Sequence, residues 1–136
     1  MDAASRISPH SGATCLRFAY QPSQTWVGVA WQNPSQNWGD IPGGYDLTGA
    51  KKLSFWARSE YGGEIIDFGV GLTGSDVKYP DTVDAQLKGV KLSSEWEHYQ
   101  ISLKGEDLSR VRTPFYWAVA GKGRSVILYL DDIRFE

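Results

Sequence analysis

Between Trp26 and Tyr45 the chain reads W-V-G-V-A-W-Q-N-P-S-Q-N-W-G-D-I-P-G-G-Y. Three indoles (Trp26, Trp31, Trp38) and one phenol share this stretch with four side-chain amides, Gln32, Asn33, Gln36 and Asn37. Flat apolar rings beside uncharged donors and acceptors suit a sugar. A pyranose has an apolar C–H face that can lie on an indole, and a rim of hydroxyls that amides can read. Stacking one such face removes ~60–100 Å² of apolar area from water, roughly 1.5–2.5 kcal/mol per ring. Two or three rings, after ordering costs, give an affinity of order micromolar, about −7 to −8 kcal/mol. The plain alternative is that the rings fill a core and the amides cap a turn.

The acidic residues offer other chemistries. Glycoside hydrolysis uses two carboxyl groups roughly 5–9.5 Å apart. Glu95 and Glu97 stand two apart at a strand start, so both can face one side. Glu64 and Asp67 fall on opposite faces of a regular strand. Neither pair lies in a tryptophan-rich stretch that would raise a carboxyl pKa, and exposed strand-edge charge is the simpler account. Asp131 shares parity with Tyr129 and Ile133, so its carboxylate is expected to point inward, where it must be paired or metal-bound. Calcium, with roughly six to eight oxygen ligands, suits such a carboxylate; backbone N–H groups are the alternative. Asp76, Asp81 and Asp84 form a second acidic set, expected to be a solvated loop. His98 has no acid or nucleophile beside it. Two histidines and one cysteine argue against zinc. No phosphate-cradling glycine motif joins a strand to a helix.

These groups need elements to hold them. Cys15 to Tyr20 alternates with the period of a half-buried strand. Trp26 to Gln32 is the next strand, ended by Pro34, which has no N–H for a ladder. Lys51 to Arg58 puts Leu53, Phe55 and Ala57 on one face and Ser54, Trp56 and Arg58 on the other. Glu64 to Leu72 is apolar and broken by two glycines, the mark of a bulge or of close approach to the backbone. A loop over 73–87 leads to a short strand near Leu87–Leu92. Trp96–Leu103, Phe115–Ala120 and Ser125–Phe135 are further strands. Glu106–Ser109 reads as a single helical turn and Gly121–Arg124 as a hairpin turn. Residues 1–13 are a polar, poorly ordered lead-in.

Eight or nine strands with no long helix predict one all-β domain over 1–136, an antiparallel β-sandwich of jelly-roll type. The expected core draws on Leu16, Phe18, Val27, Val29, Leu53, Phe55, Ile66, Val70, Tyr99, Ile101, Leu103, Val119, Ile127, Ile133 and Phe135. Parity puts Trp31 and Trp117 in the core and Trp96 at its end. A net charge of −2 with no basic run excludes a nucleic-acid footprint. No apolar run is long enough to be a membrane helix. The opening Met1–Ser5 lacks the apolar centre of a signal peptide, so the sequence reads as a domain cut from a longer chain.

Three segments, L-S-F-W-A-R-S-E-Y-G-G-E, W-E-H-Y-Q-I-S-L and V-I-L-Y-L-D-D-I-R-F-E, resemble in that order the β-sandwich carbohydrate-binding modules of bacterial polysaccharide-degrading enzymes. W-V-G-V-A-W-Q-N-P-S-Q-N-W-G is similar to their tryptophan-rich segment. The resemblance spans residues 14–136. It implies a non-catalytic, monomeric, secreted domain attached to a catalytic one. It also implies a polysaccharide ligand, with β-glucan or related hemicellulose expected by analogy. A structural calcium ion is implied too, with Asp2 joining Asp131 as a ligand. The expected binding face combines Trp26, Trp38 and Trp56 with hydrogen bonds from Gln32, Asn37 and Arg58. The rival readings are a small jelly-roll glycanase and a structural sandwich without a glycan.

Overall fold

A computed structural model describes residues 1–21, 26–71, 77–120 and 125–136. Nine strands occur among them: β1 (Asp2–Ser5), β2 (Cys15–Tyr20), β3 (Trp26–Trp31), β4 (Lys52–Ser59), β5 (Ile65–Val70), β6 (Ala85–Lys91), β7 (Glu97–Ser102), β8 (Phe115–Ala120) and β9 (Val126–Phe135). They form two antiparallel sheets, A in the order β1-β2-β9-β4-β7 and B in the order β3-β8-β5-β6. Between β2 and β9 the chain crosses from sheet to sheet at almost every connection. This is the expected jelly-roll sandwich, and its two inner faces make the core.

Parity decides most of that core. Phe55 packs its ring 4.7 Å from Phe68 and 5.2 Å from Phe115, and Phe18 meets Trp117 edge-on at 5.3 Å. Each of these comes from an inward position of an alternating strand. Trp117 is 1% exposed. Trp31 is only half-buried and stacks on Phe115 at the rim.

Four expectations need correction. Ile127 stands outside the core, opposite Ala19, while Val126, Leu128 and Leu130 point in. The cause is a bulge further along β9. Trp56 pairs with Asp131 and Ser54 with Arg134, so three steps on β9 answer two on β4. The extra residue lies at Asp132, at φ 51°, a conformation aspartate tolerates better than most. Parity therefore reverses there: Ile133 and Phe135 face in, whereas Tyr129 and Asp131 face out. Second, the lead-in is ordered at its start, since β1 pairs with β2. Third, residues 106–109 form no helical turn. Asp107 caps Ser109 instead, and Leu108 is buried. Fourth, Trp96 lies on the outer side of sheet A, where its Nε1 donates to the Ser8 carbonyl at 2.8 Å. The turn expected at Gly121–Arg124 lies outside the described residues.

Candidate functional site

The sandwich has two outer faces, and the expected site residues divide between them. On sheet B, β8 turns Phe115, Trp117 and Val119 inward, which leaves Tyr116, Ala118 and Ala120 outside. The register places Trp26 opposite Ala120, Gly28 opposite Ala118 and Ala30 opposite Tyr116. On the other flank of β8, Asp67 faces Ala118 and Gly69 faces Tyr116. The result is a floor of glycine and alanine with an aromatic ring towards each end. Trp26 is 64% exposed, although β-strand tryptophans are usually covered. Tyr116 lies across Gly69: a Cβ on that glycine would collide with the ring. The glycine noted in the sequence thus marks a close approach, made by a neighbouring phenol.

Polar groups border this floor. Gln86, opposite Gly69, bonds the Tyr116 hydroxyl and donates to Asp84 at 3.1 Å. Burial pushes the Tyr116 phenol up in pKa, and the charges of Asp84 and Asp67 push it further. Near neutral pH the group is a neutral O–H that can both donate and accept. Asp67 accepts the Gly89 N–H at 2.8 Å. At the Trp26 end a pocket of about 320 Å³ opens, lined by Trp26, Ile65, Glu64 and Asp67 over Gly62 and Gly63. Glu64 and Asp67 both line this pocket, which also takes in Val119 and Val126 from the inner faces, and Glu64 stands just before β5.

The outer face of sheet A is occupied by the chain itself. The imidazole of His10 stacks on Trp56 at 3.7 Å and 17°. Trp96 meets His10 edge-on, and the Arg58 guanidinium lies over Tyr129 at 4.0 Å. Arg58 is only 9% exposed. Trp56 and Arg58 are thus packed beneath the lead-in, with a whole sandwich between them and Trp26. They do not join Trp26 in one face, which corrects that part of the expected site.

Asn37 is 0% exposed. Its amide donates to the Asn33 carbonyl and accepts the Gly39 N–H. It holds a loop rather than facing a ligand. That loop presents Trp38, which is 59% exposed. A buried ion pair ties it down: Arg112 reaches Asp81 at 3.2 Å and also donates to the Asn37 carbonyl. Asp81 additionally accepts the Arg112 and Thr113 N–H groups, so it is a structural anchor and not part of a solvated acidic loop. Asp76 lies outside the described residues. Gln32 lines a separate apolar slot with Trp31 and Tyr45.

The calcium expectation does not fit the donors. Asp131 accepts N–H groups from His10 at 3.0 Å, Ser11 at 3.1 Å and Asp132 at 2.9 Å. Asp2 accepts from Ala4. It sits two strands away and two residues along, about 12 Å by strand geometry. No group of three or more metal-competent side chains comes together among the described residues. As for hydrolysis, Glu97 accepts bonds from Tyr99 and Ser93 on edge strand β7. Glu95 is exposed beside it, outside any pocket with an aromatic wall.

No family model and no curated protein matches the sequence. Solved structures do match. A family 30 carbohydrate-binding module of a cellulosomal cellulase of Clostridium thermocellum superposes with a TM-score of 0.67 at 18% identity, covering 98% of this chain and 79% of that one. A family 11 carbohydrate-binding module from the same organism, in complex with a β-1,3-1,4-mixed-linked tetrasaccharide, superposes with a TM-score of 0.66 at 14% identity, covering 95% and 78%. The chain has the β-sandwich fold of carbohydrate-binding modules.

Proposed function

We propose that the outer face of sheet B holds a polysaccharide chain and that the domain is a non-catalytic binding module. One observation carries the reading. Trp26 and Tyr116 present rings on a single solvent face, separated by a floor of small residues and bordered by Gln86 and Asp67. Such a floor lets a flat ligand reach both rings. Along β8 the rows of Ala120 and Tyr116 are four residues apart, about 14 Å, a span suited to several sugar units and too long for one.

A mixed-linkage β-glucan is the ligand this reading favours, since the family 11 structure of the same fold is in complex with a β-1,3-1,4-mixed-linked tetrasaccharide. The module would keep an attached glycoside hydrolase, outside the cell, close to its substrate. The test is affinity electrophoresis in soluble mixed-linkage β-glucan, followed by calorimetry. Retardation of the parent, lost in both Trp26→Ala and Tyr116→Ala, is the expected result. Equal retardation of all three proteins would remove sheet B from consideration.

A further inference from the structure

We propose that Glu64 and Asp67 are specificity determinants of this face: they accept free hydroxyls of the sugar ring beside Trp26 and select unsubstituted glycans over O-acylated ones. The inference rests on the reading of sheet B as a glycan-binding face and adds the chemical state its ligand must have.

Both carboxylates line the pocket whose wall is Trp26. At about 320 Å³ it lies at the small end of ligand pockets, roughly 300–1,000 Å³. Oε2 of Glu64 has no hydrogen-bond partner among the described residues; it is covered by the protein, so a ligand hydroxyl meets it once the side chain turns into the pocket. An acceptor in that state is unfavourable until a donor reaches it. Asp67 is fixed by the Gly89 N–H on its Oδ1, so its position is set before any ligand arrives. An ionised carboxylate only accepts, and the ligand atoms facing this pair must therefore donate. A free hydroxyl does so, in a charge-assisted bond. An acetyl ester at the same position has no proton to give and adds bulk to a pocket of this small size. Trp26 contributes differently, because an indole stacks on the C–H face whatever the oxygens carry.

The experiment compares one polymer in two states: mixed-linkage β-glucan lightly O-acetylated, and the same batch after alkaline de-esterification. Calorimetry on the parent should show at least tenfold tighter binding to the de-esterified form. Glu64→Gln and Asp67→Ala should weaken binding to the free polymer about tenfold and bring the ratio between the two polymers towards one. Trp26→Ala should weaken both and leave their ratio as in the parent. Equal binding of both polymers by the parent, or an unchanged ratio in the Glu64 and Asp67 variants, overturns the specificity assignment while leaving the face intact. No binding of either polymer by the parent overturns both readings. Release of reducing ends that stops in Glu64→Gln would make the pair an acid and base of hydrolysis, which also defeats the proposal.

Discussion

Tyr116 and Trp26 differ in how much of each belongs to the fold. Trp26 stands clear of its neighbours, so Trp26→Ala should change unfolding free energy by less than about 0.5 kcal/mol. Its effect on binding should be larger, about tenfold or more, matching ~1.5–2.5 kcal/mol of lost stacking. Denaturant titration and calorimetry on one preparation check both numbers. Tyr116 is wedged across Gly69, which allows a subtler probe. Gly69→Ala removes no ring and no hydrogen-bonding group, yet its methyl must displace the phenol. Binding to β-glucan should weaken several-fold, while Tyr116→Phe keeps the ring in place and loses only the Gln86 contact. If Gly69→Ala binds like the parent, the ring does not touch the ligand. Alternation already implied this residue: once Trp117 is assigned inward, Tyr116 must be outward. Its role stayed hidden because the glycine that receives it lies on another strand.

Two devices act at the scale of elements. One is the Asp81–Arg112 pair, which ties the Trp38 loop to the segment before β8. Removing one partner leaves a buried charge uncompensated, a cost of ~3–5 kcal/mol. Asp81→Ala should therefore lower Tm by on the order of 10 °C, with Trp38 fluorescence moving in the same transition. The other is the clasp of the lead-in on the bulge of β9. Hydrogen bonds from His10 and then Ser11 hold the Asp132 carboxyl below its ordinary pKa of 3.8. A depressed carboxyl pKa contributes stability that is present above about 3.8 and is lost as pH falls through the lower folded value. Urea unfolding between pH 6 and 2 should show this loss, and Asp132→Asn should flatten that acid limb. A parallel fall in the variant would place the acid sensitivity elsewhere. The bulge is also where sequence parity misleads. A period of two runs straight through Y-L-D-D-I, and nothing local marks the inserted step. Asp131 was accordingly expected inside, held by a metal or by backbone N–H groups, and it stands outside with three N–H partners.

At the scale of the molecule, the two outer faces have opposite fates. The N-terminal segment covers sheet A around Trp56 and Asp131, and among the described residues Trp26 leaves sheet B open. Chelation with EDTA should shift Tm by less than about 1 °C if Asp131 is satisfied by backbone donors; a larger fall would return a metal to that end of the molecule. Sequence alone determined the class of fold, the positions of every strand but β1, and most of the core. Alternation and turn chemistry are local, and each strand carries its own in-or-out pattern. The proposal of a sugar ligand also began in the sequence, from indoles beside side-chain amides. Only the tertiary structure decided which of those groups meet. The pairing of β3 with β8 and of β5 with β8 brings Trp26, Tyr116 and Asp67 together from separate stretches. The same folding sends Trp56 and Arg58 to the far side and buries Asn37 in a loop. A period of two tells a residue that it faces away from the core. It carries no information about which sheet it belongs to or what then covers it.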